Sequence, residues 1–523
     1  MKKNKDSSLW FIAAILFIAY LYINQVPDIK ILSSITNENK ITTILNHIEK
    51  NYVDSIDINS LIDNTINQTL TNLDPHSTYI NSEDVAESMA SMQGSFEGIG
   101  VEFSIHRDTI IIINVIPNGP SEKKGLQAGE RIIFIEDENV TAIGISNKDV
   151  ISKLRGERGT NVKVGVQSNQ DTLVRFVNLT RDKIPLKSLD VAYEIAPEVG
   201  YIKLNRFSAT TFDEFKHELK KLKNASSIKS LILDLRGNTG GYLDQSIRIL
   251  NEFFGDEELL VYTQGNARKT EQYFSDRFGS FQDGDLCVLI DEGSASASEI
   301  VAGAIQDHDR GFIVGERSFG KGLVQEMIEL QDGSLIRLTV SRYYTPSGRC
   351  IQKPYSENQS EYFSEVYQRE DTLLIDTLQK FTTMNGRVVY GGGGIMPDHI
   401  INSNNDSLPT SLVYLYTSSF FNNLAFDYAD RKRGRHNNDF EQFEIKYNEQ
   451  KAILMQIEDW IIDELGTNKN ISQIRLEIEK NKNNILERFS ALIIRQLWGW
   501  SKMQIFLNQN DEVITSSLSL LKI

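Results

Sequence analysis

The chain has 523 residues, 40% hydrophobic and 24% charged, with a formal net charge of −16. That length exceeds what a single hydrophobic core organises, so several domains are expected, and the composition is that of folded globular ones. Acidic and basic residues are interleaved rather than gathered into a basic stripe, which argues against nucleic acid as a partner.

Lys2, Lys3 and Lys5 precede an unbroken apolar run from Leu9 to Ile23. As a helix it would span roughly 22 Å, short of the roughly 30 Å hydrocarbon layer, a length that suits a signal-peptide core. The residues that follow, Tyr22 to Pro27, offer no small-x-small cleavage site and no lipid-accepting cysteine. The reading adopted is therefore an uncleaved membrane anchor over 1–35, with the lysines in the cytoplasm and the rest of the chain on the far side. Export after signal cleavage is the alternative.

Residues 36–92 have helical spacing, with Ile41, Ile44, Leu45 and Ile48 on one face and Leu61, Ile62, Ile66 and Leu70 in a second set. A small helical domain is expected there, including the turn-rich stretch Leu73-Asp74-Pro75-His76-Ser77-Thr78-Tyr79. From 93 to 182 the pattern changes to five short strand-like runs separated by Gly, Pro and Asn turns, with helical spacing only near Asn147 to Leu154. This predicts a compact β-rich module. Residues 183–400 alternate strand and helix, which argues for an α/β layer with a largely parallel sheet. The last segment, 401–523, is mostly helical and charged, with apolar positions such as Ile453, Ile457, Trp460 and Ile461 at three and four spacing. It carries no chemical motif.

The most specific stretch is Asp291-Glu292-Gly293-Ser294-Ala295-Ser296-Ala297-Ser298-Glu299-Ile300, which follows the apolar run Leu286 to Ile290 and opens a helix. Helix N-termini favour developing negative charge, so Ser296 is placed as a nucleophile would be. Ser296 with Glu299 three residues on also spells a capping box, a structural device common at helix starts. The segment Leu231 to Gly241 ends a strand in Gly240-Gly241, either a tight turn or a close backbone approach to a substrate carbonyl. Gly315 to Lys321 spells most of a phosphate-binding loop. Gly322 stands where that loop needs Ser or Thr, and a strand pattern follows, so nucleotide binding is set aside. No cluster of His, Cys and Glu has metal-ligand spacing, so neither a metal nor a cofactor is invoked. Cys287 and Cys350 are read as reduced structural residues.

These stretches resemble the carboxy-terminal processing, or tail-specific, serine proteases. Ser294-Ala295-Ser296-Ala297-Ser298-Glu299 matches the family signature, whose middle serine is the nucleophile, here Ser296. The family's general base is a lysine in Phe-Gly-Lys-Gly, which stands here as Phe319-Gly320-Lys321-Gly322. The family spacing of 25 is met, since 321 minus 296 is 25. The resemblance further assigns Gln325 as the residue assisting the lysine, Asp307 as a supporting acid, and Gly241 and Ala297 as oxyanion donors. For the base to work, burial must disfavour its ammonium form, and Phe319, Leu323 and Val324 supply apolar neighbours.

Gly98-Ile99-Gly100-Val101-Glu102-Phe103 and Lys124 to Ile132 resemble a PDZ domain, in which Gly98, Ile99, Gly100 and Val101 would hold a peptide C-terminus and the peptide would add as a strand. Arg155 matches an arginine that senses bound substrate. A β module that merely packs on the core, and a solvated helix-end arginine, are the plainer readings.

The resemblance covers about 36–400, and the segment beyond departs from the minimal family pattern; with the apolar N-terminal run and the helical spacing after 400, the whole is expected to be a multidomain α+β chain. Its parts are the N-terminal membrane helix, the small helical domain, the PDZ-like β domain at 93–182, a protease core of the crotonase/Clp-like type at 183–400, and the helical C-terminal extension. The resemblance implies a serine endopeptidase in the cell envelope, anchored in the inner membrane with its catalytic part in the periplasm. Its substrates would be proteins or peptides with free C-termini. A homo-oligomer is allowed, and a catalytically silent, membrane-tethered PDZ adaptor is the competing function.

Overall fold

A computed structural model of the chain describes residues 29–168, 173–276, 279–355, 358–367, 379–401, 408–433, 440–466 and 471–521. The expected anchor, Leu9 to Ile23, lies outside them. Among the described residues no helix is long and apolar enough to cross a membrane. The chain divides into two compact units between Leu73 and Asp74.

The first unit holds the helices Ile29–Asn51 and Ile58–Thr71. Asp57 caps the second, its carboxylate accepting from the amides of Asn59 at 3.0 Å and Ser60 at 3.3 Å. On the first helix Ile41 and Ile44 are 61% and 51% exposed. Leu70 of the second helix is buried, so among the described residues the two apolar faces differ in how far they are covered. The helical domain expected over 36–92 also ends earlier than its composition suggested. Asp74 onward belongs to the second unit, where Thr78–Ile80 pairs antiparallel with Leu335–Tyr344 and only Val85–Gln93 continues as helix.

In the second unit, six strands form one antiparallel sheet: five run in the order Val101–His106, Thr109–Val115, Arg131–Ile135, Asn161–Gln167, Arg175–Thr180, and the short Glu138–Asn139 pairs with Arg131–Ile135 off that path. The helix Asn147–Leu154, opened by a capping box between Ser146 and Asp149, covers it through Val150 and Leu154. Val101–His106 is an edge strand, with a free side for another chain. The module's entry and exit strands, Ser95–Gly98 and Asp182–Pro185, pair with each other.

The α/β part is built on a six-stranded sheet ordered Leu189–Ala196, Val199–Leu204, Ser230–Asp234, Asp285–Ile290, Phe312–Gly315, His399–Ile400. The first pair is antiparallel and the others parallel. Its strands are apolar on both faces, as parallel strands covered on both sides must be. Leu231, Leu233, Leu286, Val288 and Ile290 pack against the helices Thr211–Ser226, Leu243–Leu250 and Ala297–Asp307. Ile232, Cys287 and Leu289 point the other way, onto Val513, Ile514 and Leu521. The C-terminal extension therefore supplies the second cover of the sheet.

That extension has its own core, in which Ile453, Ile457 and Ile461 of the helix Tyr447–Leu465 meet Ile474, Ile485 and Phe489 of the helix Ile471–Trp498. Its helix Ser419–Lys432 also grips the β module. Phe426 packs on Ile111 and Ile113, Asp430 pairs with Arg131 at 2.6 Å, and His106 lies 2.7 Å from Asn423 and 3.2 Å from Asp427.

Candidate active site

The strand Asp285–Ile290 delivers the chain to a turn whose last residue, Ser296, opens the helix Ala297–Asp307. Ser296 has φ 56° and ψ −114°, a conformation that side chains avoid and that persists only where surroundings enforce it. The enforcement is visible. The buried carboxylate of Glu299 accepts from the Ser296 amide at 2.8 Å, and the Tyr343 hydroxyl donates to the Ser296 carbonyl at 3.1 Å. The same carboxylate accepts from Ser318 Oγ at 2.6 Å, the Gly320 amide at 2.7 Å and the Lys321 amide at 2.9 Å. Burial raises the Glu299 pKa above the ordinary carboxylate value, and these four donors work against the rise. The cap position and a half-buried side chain that lines the cavity are thus compatible uses of one serine.

Lys321 is half-buried, and its Nζ donates to Gln325 Oε1 at 2.9 Å. Gln325 Nε2 in turn donates to the His76 carbonyl at 2.6 Å. Burial foremost, then the Arg337 charge, lowers the Lys321 pKa from 10.5 to about 8, while Asp74 and Glu299 act to raise it. His76 is pushed down to about 3, by burial first and by Lys321 next, so its ring is neutral. The turn that carries His76 is held by Asp74, whose carboxylate accepts from the amides of His76 and Ser77 at 2.8 and 2.9 Å and from Ser77 Oγ at 2.6 Å.

Ser296, Lys321 and Gln325 line one cavity of about 770 Å³, together with Gly240 and Gly241. Among the described residues no hydrogen bond joins Ser296 to Lys321; the amine is held by Gln325. The glycine pair is required by packing. A Cβ at Gly241 would lie 2.1 Å from the Phe207 carbonyl oxygen, and one at Gly240 would lie 2.7 Å from Ser296 Cβ and 2.9 Å from the Ala297 nitrogen. Phe207 clamps the loop, donating to Gly240 O at 2.9 Å and accepting from the Tyr242 amide at 2.8 Å. The Ala295 amide and Ser298 Oγ both donate to the Asn238 carbonyl, at 3.0 and 2.8 Å, locking the loop to the serine turn. The amides of Gly241 and Ala297 make no hydrogen bond among the described residues.

Asp307 stands apart. It ends the helix that Ser296 begins, about 16 Å along at 1.5 Å per residue, and forms a buried ion pair with Arg349 at 2.7 Å. It also accepts from the Ser347 amide at 3.0 Å. It anchors the turn Tyr344 to Arg349 and does not touch Lys321.

A second cavity, of about 400 Å³, lies between the edge strand and the helix of the β module. Gly98, Ile99, Gly100, Val101, Ile151, Leu154 and Arg155 line it. The carbonyls of Ile99 and Gly100 are occupied by the amides of Ser121 and Ile116, at 3.1 and 3.0 Å, whereas the amides of Ile99 and Gly100 are unused among the described residues. Arg155 sits 4.6 Å over the Phe96 ring at the end of this groove. Among the described residues no group of three or more His, Cys, Asp or Glu is placed to hold a metal ion.

Comparison with known proteins agrees with this layout. Peptidase family S41 matches residues 198–361, the PDZ domain family matches 98–179, and a family of unknown function (DUF8443) matches 412–499. The carboxy-terminal-processing protease of Bartonella bacilliformis is 34% identical over 351 residues, covering 65% of this chain and 80% of that protein. The carboxy-terminal processing protease CtpB of Bacillus subtilis is 32% identical over 338 residues, covering 63% and 70%. A solved photosystem II D1 C-terminal processing protease overlays 70% of this chain and 87% of its own at 25% identity, with a TM-score of 0.37. With four-fifths of a 34%-identical relative covered and both family domains in place, the chain belongs to the carboxy-terminal processing proteases of peptidase family S41 and is a serine-type peptidase.

Proposed function

We propose that the chain is an endopeptidase that captures protein C-termini in the groove of its PDZ domain and cleaves the captured chain through an acyl-enzyme on Ser296. The observation that carries this reading is one cavity lined by a serine, a lysine whose pKa is about 8, and a glycine loop with a free amide. In its neutral form Lys321 Nζ takes the Ser296 proton as Oγ attacks the scissile carbonyl. The amides of Gly241 and Ala297 stabilise the oxyanion. The ammonium then protonates the leaving amine, the peptide C–N bond breaks, and water deprotonated by the same lysine hydrolyses the ester. Gln325 orients the amine without adding charge. In the resting arrangement that amine is held by Gln325, so rotation of the Lys321 side chain toward Ser296 precedes chemistry. Asp307 is a scaffold residue.

Gly98, Ile99, Gly100 and Val101 hold the terminal carboxylate, with the tail added to the free edge of Val101–His106. Arg155 lies where groove occupancy can be read out. The segment Leu9 to Ile23 anchors the chain in the inner membrane and places the catalytic part in the periplasm; alkaline extraction and protease protection of membrane fractions test that placement.

The decisive experiment compares the chain with Ser296→Ala and Lys321→Ala on a protein with a free, unstructured C-terminus. Cleavage by the unsubstituted chain alone supports the proposal. Equal cleavage by all three defeats the Ser296–Lys321 mechanism, and cleavage by none favours the silent adaptor.

A further inference from the structure

The chain as a whole carries a net charge of −16, yet the charged residues lining the catalytic cavity are Lys321, Arg206, Arg337 and a single carboxylate, Asp244. Three of the four are occupied. Lys321 is held by Gln325. Arg206 donates to Asn205 Oδ1 and Ser91 Oγ, both at 2.8 Å, and Asp244 accepts from Gln245 at 2.9 Å. The Arg337 guanidinium has no hydrogen bond and no ion pair with any described residue.

Its position makes that isolation notable. Arg337 lies in the strand Leu335–Tyr344, opposite Thr78 on one side and Met327 on the other, so its backbone is fixed between two strands. Met327 and Gln325, two residues apart on the neighbouring strand, share a face, and both line the cavity. Arg337 is thus a cross-strand neighbour of the residue that holds the lysine amine. It is half-buried, and burial alone lowers its pKa, with no acid acting in the opposite sense. Its unpaired donors open onto the cavity and are not sealed within protein, so an anion arriving with a ligand can take them without breaking an existing pair. The planar fork suits a carboxylate best.

We propose that Arg337 is the seat of a substrate carboxylate inside the catalytic cavity, so that the enzyme favours chains carrying an acidic group within reach of the cleaved bond. This rests on the protease reading above. The carboxylate comes either from an Asp or Glu side chain or from the terminus of a tail too short to span the distance to the PDZ groove. Once seated, it cancels the Arg337 charge felt by Lys321. Acidic substrates then bind more tightly but need a higher pH for the same turnover.

The test measures peptide affinity in a Ser296→Ala background, where no turnover occurs, so a chain that binds without cutting still answers it. Three peptides share one sequence: one with Glu near the scissile bond, one with Gln there, and one with Gln and an amidated terminus. Each is bound to Ser296→Ala alone and combined with Arg337→Met or Arg337→Lys. The Glu peptide, or the free over the amidated terminus, should bind at least tenfold more tightly to Ser296→Ala. That ratio should fall to near one with methionine and be partly kept with lysine. Whichever comparison collapses identifies the source of the carboxylate, and an amidation effect that survives methionine belongs to the PDZ groove. In the active enzyme, the acid limb for the preferred peptide should lie at higher pH than for its neutral counterpart. No preference in Ser296→Ala, or one unchanged by Arg337→Met, overturns the proposal and leaves the protease assignment standing.

Discussion

Ser296 and Lys321 are registered through one oxygen: the backbone amides of both donate to Oε2 of Glu299, at 2.8 and 2.9 Å. The strained serine turn and the lysine loop are thus positioned by the same buried carboxylate, and side-chain motion is what the proposed dyad requires.

Glu299→Gln should test this coupling. The amide nitrogen of glutamine would face N–H groups that now donate to an oxygen, leaving at least one buried donor unpaired, at about 1 to 3 kcal/mol each. We expect a fall in melting temperature and a drop in kcat of about a hundredfold. Removing the charge also removes one of the influences that raise the Lys321 pKa. The acid limb of the residual activity should therefore move to lower pH, which loss of packing by itself would not do. An unshifted limb would count against the coupling.

Lys321→Met separates stability from function. The ordinary lysine pKa of 10.5 falls to about 8 in the folded chain, chiefly by burial. Between those values the unfolded state binds more protons than the native one, so stability rises with pH across that window, and the cost of the buried ammonium is fully present below pH 8. The methionine variant should abolish cleavage yet melt a few degrees higher at pH 7. The difference should narrow as pH rises from 8 toward 10.5. Scanning calorimetry at three pH values measures it, and a lower melting temperature at pH 7 would contradict the burial argument. In the unsubstituted enzyme, kcat should fall about tenfold per pH unit below 8.

The protease family was legible in the sequence because the segments that carry the resemblance are local. The turn before Ala297 and the Phe319 to Gly322 loop are short segments whose residue types state their use. Glu299 was legible only as a cap, since its second role depends on Ser318, Gly320 and Lys321 arriving from a distant loop. Asp74 and His76 read as turn residues, although they support the lysine through Gln325. Nothing near Arg337 marks it either, because being unpaired inside a cavity is a property of the fold. The sheet did carry a signal for its second cover: Leu231-Ile232-Leu233 is apolar on successive residues and calls for packing on both faces. Which segment answers that call could not be read from periodicity.

Gly241→Ala should be more damaging than a typical glycine substitution. Its φ is 148°, and the added methyl would meet the Phe207 carbonyl oxygen at 2.1 Å. The loop must shift, carrying the Gly241 amide off the proposed oxyanion position. Loss of one such donor costs about a hundredfold to a thousandfold in kcat. KM should change far less, because the donor acts on the transition state. A variant with full kcat would place the oxyanion elsewhere.

The C-terminal extension makes two contacts that should fail separately. Ile514, almost fully buried, packs beneath the central sheet among Ile232, Cys287 and Leu289, while Phe426 packs on Ile111 and Ile113 of the PDZ domain. Ile514→Ala opens a cavity under the catalytic sheet and should cost about 2 to 5 kcal/mol of global stability. Phe426→Ala should leave the catalytic core's melting nearly unchanged, because the contact it removes is between domains. Its effect should appear as faster amide hydrogen exchange in Thr109–Val115 and weaker coupling between peptide binding in the groove and turnover at Ser296. Because Arg236, next to the glycine loop, pairs with Asp511 of the same extension at 2.8 Å, one continuous scaffold runs from the PDZ domain to the glycine loop. If Phe426→Ala instead lowered the melting of the whole chain as much as Ile514→Ala, the two contacts would belong to one cooperative core and the extension could not act as a separable bracket.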